Sequence, residues 1–236
     1  MTWHGQDIVG FDTETTGVNT AQDRVVTAAI VHTGPGLAEP QVHSWLLNPG
    51  IPIPDGAADV HGITTEYAAT HGVAPGPALE EIAQTLVAAA QDGAVLVAYN
   101  ASFDFDLLNA ELARYGLPDL PARLSGTELL VLDPLVLDRK LDRFRKGRRT
   151  LGALAEHYRI TAEGLHNAEA DVAVTLEVLN TLLSKYPELT ELSRAELMAY
   201  QATAHREWAE NFNQWRSSKG LPGPGAELTW LGSMLP

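Results

Sequence analysis

Apolar positions first recur with a period of two, then with a period near 3.6. Asp7 to Gly17, "DIVGFDTETTG", reads as a buried strand running into a glycine turn. Arg24 to Thr33 is a second strand, rich in β-branched residues and ended by Gly34-Pro35-Gly36. Gln41 to Leu47 is a third, stopped by Asn48-Pro49-Gly50. Short turns between them predict an antiparallel meander. A Pro-rich loop follows, Pro49 to Thr64. Ala78 to Gln91 has helical spacing, with Leu79, Ile82, Leu86 and Val87 on one stripe. Ala94 to Asn100 is a short apolar strand of the kind found at a sheet centre. Ser102 to Gly116 is an amphipathic helix, and Glu128 to Asp133 a further buried strand. Asp133 then reads as a helix cap before Pro134 at the first helical position. Helices are expected near Thr150 to Tyr158, Ala168 to Lys185 and Thr190 to Gly220.

Three strands, then helix, strand, helix, strand and helices, predict an α/β protein with a mixed sheet. The division expected is 1–187 as the main domain and 188–236 as a C-terminal helical extension with a Gly/Pro-rich tail. In the extension Trp208, Phe212 and Trp215 fall on one helical stripe, which is expected to pack back on the domain. The tail is expected to be partly mobile, with Trp230 as a candidate anchor.

Composition narrows the chemistry. The chain of 236 residues has no cysteine, which excludes disulfides, thiolate metal sites and a cysteine nucleophile. That usage fits a cytoplasmic location. No run of about 18 apolar residues predicts a membrane span, and "MTWHGQD" lacks the pattern of a secretory signal. Phosphate-binding, dinucleotide-binding, nucleophile-elbow and His-Glu-x-x-His zinc motifs are all absent.

The net charge of −14 argues, by itself, against a polyanionic partner. One stretch differs. Asp138 to Arg149, "DRKLDRFRKGRR", holds seven basic residues of the chain's 16. Alone, such a run reads equally well as a solvated helix end and loop.

Carboxylates are what remains to carry chemistry. Asp12 and Glu14 are two apart on a strand and so share a face, where unpaired charge is costly. Asp104 sits at the mouth of a helix, and Asp171 early in another. Such a set suits one or two hard divalent cations, which want oxygen ligands. His166 precedes Asp171 by five residues, about 140° apart on one regular helix. Both can face one site only if His166 stands off the helix, with Asn167 as the N-cap. There a histidine could take a proton from an attacking water near neutral pH. Taken singly, Asp104, Asp171 and His166 read more simply as helix-end charges and an ordinary histidine. Asp133 fits a cap and Asp106 an exposed helix position.

In chain order, "FDTETTG", "NASFD" and "HNAEAD" resemble the three exonuclease motifs of the DEDD superfamily. The His-x-x-x-x-Asp spacing resembles that of its histidine-bearing branch, DEDDh, which includes the polymerase III epsilon subunit, ribonuclease T and oligoribonuclease. "VHGIT", Val60 to Thr64, resembles a further element of epsilon-like members. The likeness spans roughly Asp7 to Ser184 and is nearest to exonuclease-domain proteins of actinobacteria and their phages.

This resemblance implies a ribonuclease-H-like fold. It also implies a metal-dependent 3′→5′ exonuclease that releases nucleoside 5′-monophosphates from DNA. Asp12, Glu14, Asp104 and Asp171 would be the acids holding two divalent ions, Mg2+ or Mn2+, about 3.5–4 Å apart. His166 would be the general base. Thr15, Thr16, His61, Asn100 and Phe103 would lie near the terminal nucleotide, Phe103 being equally a core residue. With the family in view, Arg145, Arg148 and Arg149 are expected to track the phosphate backbone.

The sequence departs from the family in two places. Motif two opens Tyr99-Asn100 rather than His-Asn, and nothing in the family accounts for residues beyond about Thr190. The expected partner is single-stranded or 3′-ended DNA, with a polymerase or repair protein as a further candidate. An RNA-directed exonuclease of the same family is the alternative reading. A non-catalytic end-binding module is disfavoured because all four acids and the histidine are present.

Overall fold

A computed structural model describes residues 3–234. Strands β1 (Ile8–Thr15), β2 (Val25–Thr33) and β3 (Gln41–Leu46) form the expected antiparallel meander. Two parallel strands, β4 (Val95–Val97) and β5 (Val131–Leu132), complete a sheet of order β3-β2-β1-β4-β5. Both parallel strands are shorter than their apolar runs suggested. Two flanking residues still serve the ladder: the Leu130 carbonyl accepts from the Leu96 N–H (3.0 Å), and the Ala98 N–H donates to the Leu132 carbonyl (3.3 Å).

Alternation along the strands feeds two cores. Val9, Phe11, Ile30, Leu96 and Val131 face helices α3 (Pro75–Gln91) and α4 (Ala101–Arg114). Ala29, Val31, Val95, Val97 and Leu132 face α7 (Leu151–Tyr158) and α8 (Ala168–Lys185). Apolar cover on both faces explains the unbroken apolar runs of the central strands. Gly10 allows the closest approach: a Cβ there would lie 2.4 Å from Val172 Cγ1. α8 therefore packs directly on β1.

The Pro-rich segment is not a plain loop. It carries a short helix, α1 (Asp55–His61), which its proline and glycine content concealed, and a second, α2 (Thr65–His71), follows it directly. α1 ends at Gly62, whose φ of +76° suits glycine. α2 starts at Thr64, whose side chain accepts from the Tyr67 N–H. Helices α5 (Leu120–Arg123) and α6 (Pro134–Leu141) flank β5 in sequence.

A 3-10 turn at Pro187–Glu191 leads into α9 (Arg194–Ser218), opened by a Ser193/Glu196 capping box. Leu197 and Gln201, in its first half, are buried. Its aromatic stripe packs back on the domain only at its start, where Arg139 of α6 lies 3.6 Å over the Trp208 ring. Trp208 and Phe212 are half-buried and Trp215 is 50% exposed.

The tail is docked. Asn213 clamps Ala226 through its N–H (2.7 Å) and carbonyl (2.8 Å). Trp230, Leu231 and Met234 lie in the same core as Phe11 and Leu107. Residues of the extension thus complete the main core. Among the described residues no helix is long and apolar enough to cross a membrane.

Candidate active site

β4 ends its pairing at Val97, opposite Gly10, while β1 continues to Thr15. Past that point one edge of β1 is open. A cleft forms outside the carboxyl ends of two parallel strands, the usual ligand position in such sheets. Asp12 and Glu14 occupy this overhang on the face of Gly10, the face covered by α8. A register shift between Glu14 and Thr15 then turns the chain away.

After β4 the chain turns at Tyr99 and Asn100 into α4. Asn100 has φ +62°, a conformation its short polar side chain tolerates. In the first turn of α4, Asp104 reaches the open edge of β1. Its Oδ1 accepts from the Thr13 N–H (3.0 Å) and hydroxyl (2.7 Å).

The third element arrives as expected. Asn167 caps α8, accepting from Glu169 (3.0 Å) and Ala170 (3.3 Å). His166 stands before the helix with φ +71°, and its backbone N–H donates to Asp171 (3.1 Å). Ligating atoms of Glu14, His166 and Asp171 lie within 4.8 Å of one another.

The acids disturb each other's ionisation. The Asp12 carboxyl is pushed well above the usual range by burial, then by Asp104, Asp171 and Glu14. Glu14 is raised to about 7, by burial first and Asp171 second. Burial raises Asp104 to about 7 as well, against the opposing bonds from Thr13. Asp171 is raised by burial, which the His166 N–H partly offsets. Four carboxyls that resist ionising together are stabilised by added positive charge. Oxygen donors beside one imidazole, with no thiolate, fit divalent Mg or Mn.

The other expected contacts divide. His61, at the end of α1, lies against the Thr15 backbone. Its Nδ1 accepts from Ile63 (3.1 Å), which leaves the proton on a buried, unpartnered Nε2. Burial holds its pKa below the ordinary value, and the Thr15 backbone opposes this. The Thr15 hydroxyl donates to the Gly17 carbonyl (2.7 Å). Thr16 is buried, and its hydroxyl bridges Asp23 (2.9 Å) and the Arg24 N–H (3.0 Å). Both hydroxyls therefore shape the turn. Gly17 belongs to that turn too: a Cβ would meet the Asp23 carboxylate at 2.6 Å. Phe103 is half-buried against the core, and Asn100 is exposed.

The basic run also divides. Arg145 and Arg149 both pair with Asp138, which is fully buried and also accepts from the Tyr158 hydroxyl (2.8 Å). These two arginines tie the loop to α6. Arg143, Lys146 and Arg148 remain exposed.

Sequence reasoning missed three contributors. Asp138 gathers its partners from the α6–α7 loop and from α7, which no local spacing signals. The Tyr99 hydroxyl donates to the Arg149 carbonyl (2.5 Å) and joins motif two to the basic loop. Asp133 is the expected cap, accepting from Leu135 (2.9 Å), but it also accepts from the Asn100 and Ala101 N–H groups, both at 3.0 Å. Asp106 is half-buried rather than exposed, and accepts from the Ser233 hydroxyl of the tail.

A family model described as an exonuclease, the RNase T family, matches residues 9–179, which contain every one of these acids and His166. The chain belongs to the RNase T exonuclease family. It is 35% identical over 179 residues to a DNA polymerase III subunit epsilon-like protein of Rhodobacter capsulatus, covering 74% of this chain and 23% of that one. To a PolC-type DNA polymerase III of Lacticaseibacillus paracasei it is 30% identical over 176 residues, 75% of this chain and 11% of that one. The family member here thus spans a quarter or less of these two relatives. Its fold matches a zinc-bound E. coli ExoI–ssDNA complex with a TM-score of 0.67 at 22% identity, covering 86% of this chain and 44% of that one. The RNase-H-like architecture, a mixed sheet flanked by helices, is shared with that structure.

Proposed function

We propose that this exonuclease removes nucleotides one at a time from the 3′ end of DNA, releasing nucleoside 5′-monophosphates. The observation that carries the reading is the convergence of Glu14, His166 and Asp171 within 4.8 Å, beside Asp12 and Asp104, in the cleft past β4. Polarity and substrate rest on likeness to epsilon-like and exonuclease I proteins.

Asp12, Glu14, Asp104 and Asp171 would hold two divalent cations, Mg2+ or Mn2+. When bound, such ions neutralise phosphate charge and acidify a water nucleophile. The residues supply the rest. Thr13 holds Asp104 in place through two bonds, and the His166 N–H orients Asp171. The His166 side chain is exposed and stands beside two acids, so it can take the proton of the attacking water and pass it to solvent. His61, with its unpartnered Nε2–H, and the exposed Asn100 offer donors to the terminal nucleotide. Of the three arginines first expected to follow the phosphates, Arg148 retains a free side chain for that role.

The test is digestion of 5′-labelled single-stranded and duplex DNA and RNA with Mg2+, Mn2+ or a chelator. The expected result is a ladder shortening from the 3′ end of DNA, mononucleotide products and no reaction in chelator. Cleavage that ignores the chelator, or a labelled mononucleotide released first, refutes the mechanism or the polarity. Faster digestion of RNA overturns the substrate.

A further inference from the structure

We infer that the groove between the α6–α7 loop and α9 is a second binding site, one that holds the body of a single-stranded nucleic acid while its 3′ end occupies the cleft. The inference rests on the nuclease reading above and adds a place for the strand beyond the terminal nucleotide.

The groove encloses about 630 Å3 and is lined from one side by Arg139, Arg143 and Phe144, from the other by Trp208 and Asn211. The loop wall opposes the chain's charge, while the α9 wall contributes Glu207, paired with Lys140 at 2.6 Å. Twelve residues, Asp138 to Arg149, carry seven basic side chains against two acidic ones, in a protein of net charge −14. Asp138 ties down Arg145 and Arg149, so the loop keeps its shape without substrate. That leaves Arg143, Lys146 and Arg148 facing solvent, Arg143 in the groove itself and the other two on the loop beside it.

Aromatic faces are interleaved with these cations. Phe144 is 90% exposed at the loop tip. On α9, Trp208 and Phe212 stack at 5.3 Å with 16° between planes, and Phe212 and Trp215 follow at 5.8 Å. Arg139 lies 3.6 Å over the Trp208 ring and fixes the start of this ladder. An apolar partner would not need the cations, and a duplex would not offer base faces to the rings. Cationic side chains that follow phosphates, beside rings on which bases stack, are the physical requirements of single-strand binding.

A single hydrogen bond links the loop to the cleft. Tyr99, next to Asn100 at the cleft, donates its hydroxyl to Arg149 at the end of the same loop. A strand leaving the cleft over Tyr99 meets the loop next, and α9 after it.

The test compares oligodeoxythymidylates of about four and about twenty nucleotides, using the full chain and a Phe144→Ala/Trp215→Ala variant. Both side chains are solvent-facing, so the variant is expected to fold, which its circular dichroism and melting temperature check. Arg143→Ala/Lys146→Ala is the second variant. The aromatic variant is expected to bind the long strand roughly tenfold or more weakly, as loss of base stacking does. Its turnover of the short one is expected to be unchanged. The basic variant is expected to lower the salt dependence of long-strand binding. Unchanged long-strand affinity in both variants overturns the site. Equal losses on the short and long strands overturn it too, as does loss of binding to an acidic peptide with DNA binding intact. A parent chain that binds the long strand at the groove but cleaves neither oligonucleotide refutes the nuclease reading and leaves the groove standing.

Discussion

Replacing Asp104 with asparagine is expected to stabilise the metal-free chain at alkaline pH while abolishing nuclease activity. Asp104 is 3% exposed. Its folded carboxyl gives up a proton at about 7, chiefly because burial penalises the anion. An unfolded aspartate does so near 4. Between those values the folded chain holds a proton that the unfolded chain has lost. Stability therefore falls as pH rises through that window and is level above it. Each tenfold in proton affinity is worth about 1.4 kcal/mol, so the full loss is on the order of 4 kcal/mol. Asp12 shares it, because neighbouring carboxyls titrate together. Asparagine keeps an Oδ1 to accept the two bonds from Thr13 and never ionises. Weaker bonds to a neutral acceptor return about 1 kcal/mol. The net gain expected is about 2–3 kcal/mol near pH 8, and nothing or a small loss near pH 5. Urea unfolding in chelator at both pH values measures it. Excess Mg2+ is expected to cancel most or all of that gain, since a ligand at about a hundred times its Kd adds about 2.7 kcal/mol to the parent alone. A variant-to-parent difference equal at both pH values would refute the electrostatic account, as would a variant less stable near pH 8.

Three further perturbations test other parts of the structure. His166→Asn keeps a residue that tolerates the φ of +71° and is expected to leave the melting temperature near the parent's. Its turnover is expected to fall by about 10²–10⁴, read in single-turnover assays, and parent-like turnover would remove the proton-acceptor role. Gly10→Ala forces a Cβ to within 2.4 Å of Val172 and is expected to cost about 1–3 kcal/mol in denaturant unfolding. An unchanged midpoint would show that α8 can move off β1. Asp138→Ala leaves Arg145, Arg149 and the Tyr158 hydroxyl without their shared acceptor. It is expected to cost about 3–5 kcal/mol and to expose the α6–α7 loop to proteolysis, whereas a loop equally protected in the variant would deny Asp138 that role.

The readable parts of this chain are those encoded locally. Period-two patterning and Gly/Pro turns gave the meander, and the cap residues Asn167 and Asp133 mark helix starts in the structure as in the sequence. The placement of His166 followed from helical geometry and the Asn167 cap, because residues five apart do not share a face on one helix. What escaped depends on contacts between distant segments. α1 and α2 are too short to show a period. The aromatic stripe of α9 has the spacing of a core face, but spacing does not say whether another element covers it. Arg145 and Arg149 look like free cations in sequence, and only the fold reveals a buried carboxylate between them.

Asp133 shows why the C-terminal extension matters to a site it does not touch. This carboxylate is buried at the end of β5, where it accepts from the Asn100 and Ala101 N–H groups. Those two amides begin α4, and Asn100 must hold a left-handed φ for the helix to start there. The position of Asp104, one turn on, depends on that start. A buried carboxylate needs many donors to hold a fixed orientation. The Trp230 indole N–H supplies one more, at 3.4 Å, from the tail. The Asp133 N–H in turn donates to Gln201 of α9 (2.8 Å), whose amide also donates to the Val131 carbonyl (2.8 Å). Removing residues 188–236 would take away Gln201 and Trp230 together and open the core around Phe11 and Leu107. The segment that family resemblance left without a role is therefore the support behind motif two. The geometry of the acid cluster is a property of residues on both sides of position 187.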